Sequence, residues 1–288
     1  MSDFNDARDR AYNVRRAIPE HPQIFQAWRQ SSDDYLASRD DALIDVAYGN
    51  HERQRLDLFP ALSVEGSHDA PLVIVIHGGY WQALDKADNR HVCRSLCEAG
   101  WTVALLNYRL CPLVEIHDIV DDVEMATCWL VENQQRLSLD CEKIAVIGHS
   151  AGAHLAAMLA CRSAQDATLM SGRIQHVSLV SGVFELECLI GTQMNEQLGL
   201  TPQKSLALSP TQFDPPVGLS VDATVGALET IGFFEQQAYL AHAWANTTHW
   251  RQASIADTDH LSVWSQIGDP SSIIAKRIIT SLRSLDSG

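Results

Sequence analysis

Gly148-His149-Ser150-Ala151-Gly152 stands directly after an apolar run, Lys143 to Ile147, and directly before a segment of helical period that starts at Ala153. A serine hydroxyl is a weak nucleophile unless a base removes its proton, so its chemistry depends on where the backbone puts it. The G-x-S-x-G spacing between a strand and a helix describes a sharp elbow that lifts the hydroxyl to the edge of a sheet. Glycines two residues to either side remove side chains that would collide with the neighbouring strand and helix. The helix N-terminus at the elbow favours developing negative charge. Acyl transfer is the chemistry such a serine suits.

A second motif, His77-Gly78-Gly79-Tyr80-Trp81, follows the run Leu72 to Ile76. Glycines there let the main chain approach a substrate oxygen without a Cβ in the way. The backbone N–H groups of Gly78 or Gly79, with that of Ala151, are therefore the expected oxyanion hole. With a serine on such an elbow the chain order is serine, acid, histidine, so the base should lie near the C-terminus. Of twelve histidines, His260 has the suitable place, in a polar loop after Trp250 to Ile255 and before the last helix. His242 and His249 fall earlier, in or just after a predicted helix. The acid should sit just past the strand Ala223 to Ala227, which selects Glu229 over Asp222, before the strand, and Glu235, inside the next helix. Asp257 and Asp259 lie so close to His260 that they more naturally shape its loop. Cys93 and Cys97 beside His91 lack a second ligand pair of suitable spacing, so no metal and no other cofactor is expected.

The elements that must position these residues follow from the rhythm of the chain. Compact apolar runs at Leu72 to Ile76, Val103 to Leu106, Ile144 to Ile147, Val177 to Val180 and Ala223 to Leu228 suit strands buried on both faces. Between them, Arg90 to Ala99, Ile116 to Gln134, Ala153 to Cys161, Gly232 to Trp244 and Ser271 to Leu285 have helical period. This alternation predicts one α/β domain over residues 1–288: a doubly wound, mostly parallel sheet with helices on both faces. Residues 1–45 read as a helical extension broken by Pro19 and Pro22, serving as a lid or a cover. A hairpin follows, Leu43 to Tyr48 and Arg53 to Phe59 around Gly49-Asn50, ended by Pro60 and the polar segment 63–69. Residues 185–221 have the composition of a cap over the sheet's carboxyl edge.

Composition narrows the function classes. The 36 acidic residues against 21 basic give a formal charge of -15, a field that repels phosphate backbones and anionic lipid. Neither nucleic acid nor a membrane is an expected partner. The polar N-terminus lacks the pattern of a signal peptide, which places the expected compartment in the cytoplasm, where the seven cysteines would stay reduced. An exposed edge strand could support a homodimer.

With these residues in place, the chain resembles the α/β-hydrolase superfamily, in the branch holding hormone-sensitive-lipase-type esterases and the eukaryotic-type kynurenine formamidases. Tyr80-Trp81 after the two glycines is similar to the formamidases, where esterases more often have another glycine. Tyr48-Gly49, Asn107-Tyr108-Arg109-Leu110, the Ala153-His154-Leu155 extension of the elbow and Ser181-Gly182-Val183-Phe184 resemble the same group. The resemblance covers roughly Ala47 to Val263 and departs at Glu229, where family members usually carry Asp, and around Gln212 to Asp222. It implies hydrolysis of an N-formyl arylamine such as N-formylkynurenine to an arylamine and formate. It further implies a substrate pocket walled by Tyr80 and Trp81, with Tyr108 and Phe184 as further candidates that could equally be core. A carboxylesterase acting on short acyl or aryl esters would use the same machinery, and a hydrolase fold can also bind a small molecule without turning it over.

Overall fold

A computed structural model describes residues 4–62, 70–165 and 172–286, so the polar segment 63–69 after the hairpin lies outside the described residues. The strands are β1 (Leu43–Ala47), β2 (Arg55–Phe59), β3 (Ala70–Ile76), β4 (Thr102–Leu106), β5 (Leu139–His149), β6 (Ile174–Val180), β7 (Ser220–Gly226) and β8 (His249–Ile255). The helices of the N-terminal arm are α1 (Asp6–Tyr12), α2 (Val14–Ala17) and α3 (His21–Ala37). Those of the main fold are α4 (Cys93–Glu98), α5 (Ile116–Glu132), α6 (Gln134–Leu137), α7 (Ala151–Gln165), α8 (Asn195–Leu198), α9 (Pro202–Leu208), α10 (Ile231–Trp244), α11 (Ser262–Ser265) and α12 (Ile273–Asp286).

One eight-stranded sheet runs in the order β1-β2-β4-β3-β5-β6-β7-β8. The β1–β2 and β2–β4 pairs are antiparallel and all the others parallel. Val73 to Ile76, Val103 to Leu106 and Ile144 to Ile147 are completely buried, as continuous apolar runs covered on both faces require. Helix α7 packs on β3, β5 and β6 with α5 beside it, while α4 lies on β4 and α12 on β6 and α4. The molecule is an α/β-hydrolase fold. Among the described residues no helix is long and apolar enough to cross a membrane.

Two departures from the sequence reading have simple causes. The last strand, β8, carries His249, Arg251, Gln252 and Ser254 on the sheet's edge, mostly exposed, so it has no apolar run to announce it. In the hairpin, Asp57 alternates between Leu56 and Leu58 yet is buried with them. Its carboxylate is held by Lys86 Nζ at 2.8 Å and Arg90 Nε at 2.7 Å, which compensates for its desolvation.

The N-terminal arm is stitched to the body. Asn5 and Asn13 cap α1 and α2 through their side chains, and Tyr12, Trp28 and Tyr35 are buried. The segment 185–221, expected as a cap, holds short helical turns, including α8 and α9, and ends in the first residues of β7.

Candidate active site

The turn from β5 into α7 holds Ser150 in the left-handed region, at φ 54°, an uncommon conformation for a residue with a Cβ. A Cβ on Gly148 would collide with the Gly152 carbonyl, and one on Gly152 with the carbonyl oxygens of Ile76 and His77. Only glycine lets strand, turn and helix close this tightly. The elbow expected from the sequence is therefore built, and Ser150 sits at its apex.

Gly78 lies against that apex: a Cβ added there would meet the His149 carbonyl oxygen at 2.9 Å and Ser150 Cβ at 3.1 Å. Gly79, Tyr80 and Trp81 then turn with φ of 116°, 51° and 55°. Among the described residues, the N–H groups of Gly78, Gly79 and Ala151 donate to no protein acceptor. Free main-chain donors beside a serine are what an incoming oxyanion needs. The loop is braced from behind. The His77 ring stacks on Tyr108 at 4.5 Å, its Nδ1 lies 2.7 Å from the Gly78 carbonyl oxygen, and the Tyr108 hydroxyl donates to the His77 carbonyl at 2.8 Å. Arg53 ties the base of this brace together, donating to Asn107 Oδ1 at 2.9 Å and Asp85 Oδ2 at 3.1 Å.

His260 and Glu229 meet at the carboxyl ends of β7 and β8. His260 Nδ1 lies 2.7 Å from Glu229 Oε2, and both side chains are almost fully buried. The other carboxylate oxygen accepts from the Gly226 N–H at 2.6 Å and the Ser181 hydroxyl at 2.5 Å. A carboxylate held by these three partners is fixed in place. Asp259 shapes the loop, as its position suggested: its Oδ1 accepts from the Leu261 and Ser262 N–H groups at 2.9 and 2.7 Å. Asp222 pairs instead with Arg277 at 2.7 Å, and Glu235, His242 and His249 are exposed.

His149 was not singled out from the sequence, being the variable residue of the elbow motif. Its Nε2 lies 2.8 Å from the His260 carbonyl oxygen, which can only accept, so that nitrogen carries the proton. Its Nδ1 has no partner, and the ring stacks on Trp264 at 5.0 Å. Burial, reinforced by the neighbouring His260, holds this imidazole neutral, with its pKa well below the usual 6.5. The residue before the nucleophile thus ties the elbow to the histidine loop.

Ser150 and His260 both line one cavity of about 840 Å³, together with Gly79, Tyr80, Trp28 and residues of the N-terminal arm and the cap. The Tyr80 hydroxyl donates to the Tyr12 carbonyl, fastening the glycine loop to the arm. Trp81, expected beside Tyr80 in the wall, is instead completely buried behind the loop, edge-on to His154 at 5.0 Å, and does not line the cavity. The two rings stay edge-on to each other at 6.3 Å, but only Tyr80 reaches the cavity. Tyr108 and Phe184 are also core, one against His77 and the other against Gly182.

A family model described as BD-FAE matches residues 56–198. A kynurenine formamidase of Danio rerio is 29% identical over 243 residues, 82% of this chain and 80% of that protein. A kynurenine formamidase of Salmo salar is 30% identical over 234 residues, 79% of this chain and 77% of its own. This chain belongs to the kynurenine formamidase family of α/β-hydrolases. A solved structure from Silicibacter sp. TM1040, described as a candidate thioesterase, agrees in fold with a TM-score of 0.80 at 28% identity, covering 93% of this chain and 97% of that one. Like its formamidase-family relatives, the protein is a hydrolase. The BD-FAE match runs through both glycine-bearing motifs but stops before Glu229 and His260, which come from the last third of the chain.

Proposed function

We propose that this member of the formamidase family hydrolyses an N-formyl arylamine, with N-formylkynurenine as the reference substrate, through Ser150, His260 and Glu229. The observation that carries the reading is one cavity onto which Ser150 and His260 both open, with His260 backed by Glu229 at 2.7 Å. Because Nδ1 faces that carboxylate, Nε2 of His260 is the nitrogen left to act on the substrate.

The proposed steps use these residues in turn. His260 Nε2 takes the Ser150 proton as Oγ attacks the formyl carbon, and the oxyanion forms against the N–H groups of Gly78, Gly79 and Ala151. His260, now an imidazolium stabilised by Glu229, gives its proton to the anilide nitrogen, and the arylamine leaves. Water, deprotonated by the same histidine, attacks the formyl ester, Ser150 regains its proton and formate departs. An aromatic amine leaves more readily than an alkylamine. Tyr80 and Trp28 line the cavity and are the aromatic residues proposed to contact it.

The test is to compare kcat/KM for N-formylkynurenine with that for 4-nitrophenyl acetate. A formamide at least as good as the ester supports the proposal. Preference for the ester by several orders of magnitude replaces it with a carboxylesterase using the same residues.

A further inference from the structure

Ser150 and His260 belong to separate parts of the sheet. Ser150 rides on the turn from β5 into α7 and His260 on the loop after β8, with β6 and β7 between those strands. The histidine loop has ties of its own. The Thr258 carbonyl accepts from the Leu228 N–H at 2.9 Å, the Thr258 hydroxyl donates to the Ile255 carbonyl at 2.8 Å, and Asp259 accepts from the N–H groups of Leu261 and Ser262. These fix the loop to β8, to the turn after β7 and to itself, and none reaches the elbow. Among the described residues, the hydrogen bond that crosses from the loop to the elbow is the one His149 Nε2 gives to the His260 carbonyl at 2.8 Å.

The His149 ring is held on several sides. It lies flat on Trp264, with 5.0 Å between centroids and 15° between planes, and Trp264 is itself anchored by its Nε1–H to Asn89 Oδ1 at 2.8 Å. Trp28 of α3 comes edge-on at 6.5 Å. A Cβ on Gly78 would stand 3.0 Å from His149 Nδ1, so the ring also packs beside the glycine loop. The His260 ring meets His149 at 4.7 Å and Phe233 at 4.2 Å. One residue thus belongs to the elbow, abuts the glycine loop and bonds the histidine loop. Its Nδ1, buried without a partner, carries a desolvation cost that an apolar ring in the same place would avoid. The donor at Nε2 is what a histidine supplies there and an apolar ring lacks.

We propose that His149 is a positioning residue for the hydrolysis: its Nε2–H sets the distance between the histidine loop and the elbow, acting through His260 and not on the substrate. The inference rests on the Ser150–His260 reading of the cavity and deepens it. Because a catalytic group displaced by about 1 Å can lose roughly a hundredfold in rate, the tie at this crossing governs kcat and not KM.

The full chain is assayed with N-formylkynurenine and 4-nitrophenyl acetate, with circular dichroism as a folding control. Gln and Met match each other in length and differ in the donor, so His149→Gln and His149→Met isolate the hydrogen bond, while His149→Phe keeps a ring and loses the donor. His149→Met and His149→Phe should lower kcat about tenfold to a hundredfold on both substrates, with KM close to that of the wild type. His149→Gln should recover most of that loss. Gln above Phe in kcat is the deciding order, since a ring that merely fills space gives the reverse. A His149→Phe enzyme with near-normal kcat, or Gln and Met variants that fall equally, overturns the positioning role while the hydrolytic reading stands. Should His149→Phe not fold, the Gln and Met pair decides alone. A wild-type chain that turns over neither substrate overturns the underlying reading, and the positioning role with it.

Discussion

Gly226, the last residue of β7, lies so close beneath the histidine loop that a Cβ on it would stand 2.5 Å from the Thr258 carbonyl oxygen and 2.9 Å from that of Asp259. The same residue gives its N–H to Glu229 at 2.6 Å. One glycine therefore sets both the spacing between the β7 and β8 loops and the position of the carboxylate. Gly226→Ala should push the loops apart, costing about 1–3 kcal/mol as overpacked sites do. It should also lower kcat at least tenfold at temperatures where the variant remains folded. Thermal unfolding and kcat measured on the same preparation check this, and full activity in a destabilised variant would contradict it.

Glu229 is the member of the site whose type departs from the usual aspartate, and its surroundings explain how it serves. The longer side chain starts beyond the end of β7 and folds back, so that Oε1 is held by Ser181 and Gly226 while Oε2 meets His260. Glu229→Gln should keep the fold but lower kcat about a hundredfold to ten-thousandfold, because the amide no longer stabilises the imidazolium. Glu229→Asp, one methylene short of that span, should fall between the two. Steady-state kinetics with circular dichroism as a folding control decides it; a Glu229→Gln enzyme with near-normal kcat would move the acid's role elsewhere.

Tyr80 and Trp81 are neighbours in sequence with opposite fates, which makes them a matched pair for testing the pocket wall. Tyr80→Phe removes the hydroxyl that ties the glycine loop to the Tyr12 carbonyl, and should raise KM severalfold. Trp81→Phe changes a fully buried ring whose Nε1 has no hydrogen-bond partner. It should shift stability by about 1 kcal/mol with KM unchanged, because the ring fills space behind the loop and not in the cavity. The reverse outcome, KM following Trp81, would place the wrong ring in the wall.

The pH dependence of stability should be dominated by buried imidazoles. Burial holds His91 and His154 at about 4, His176 at about 3, and His149 well below 6.5. In the folded chain these rings stay neutral where the unfolded chain protonates them, so the unfolded state binds more protons below about pH 6.5. Stability contributed by their burial is complete above that value and is lost as pH falls from 6.5 towards 4. Urea midpoints measured at pH 7.5, 6 and 5 should decline steadily over the lower interval, and a flat profile would contradict the burial of neutral rings.

Much of this architecture could be read in the sequence because its signals are local. The completely buried runs at β3, β4 and β5 can only be central strands, and the glycines of the elbow and of Gly78-Gly79 mark places where backbone meets backbone. Chain order selected Glu229 and His260 as candidates, and the fold brings these two side chains to 2.7 Å. What stayed hidden lacks a local signal. The edge strand β8 is polar, Asp57 is buried only because Lys86 and Arg90 come to it, and the link from His149 to the His260 carbonyl joins residues 111 apart in sequence. The cavity wall was the least legible part, because ordinary polar residues of the N-terminal arm and the cap meet there only in three dimensions.

The hydroxyl at the elbow is the atom proposed to take the acyl group. Wild-type protein and the Ser150→Ala and His260→Ala variants, each shown to be folded, can be treated with an aryl organophosphonate and mapped by mass spectrometry. A single adduct on Ser150 in the wild type, none in Ser150→Ala and strongly slowed labelling in His260→Ala, in step with loss of N-formylkynurenine turnover, is the predicted result. Undiminished hydrolysis by folded Ser150→Ala, or an adduct on another residue, would contradict it.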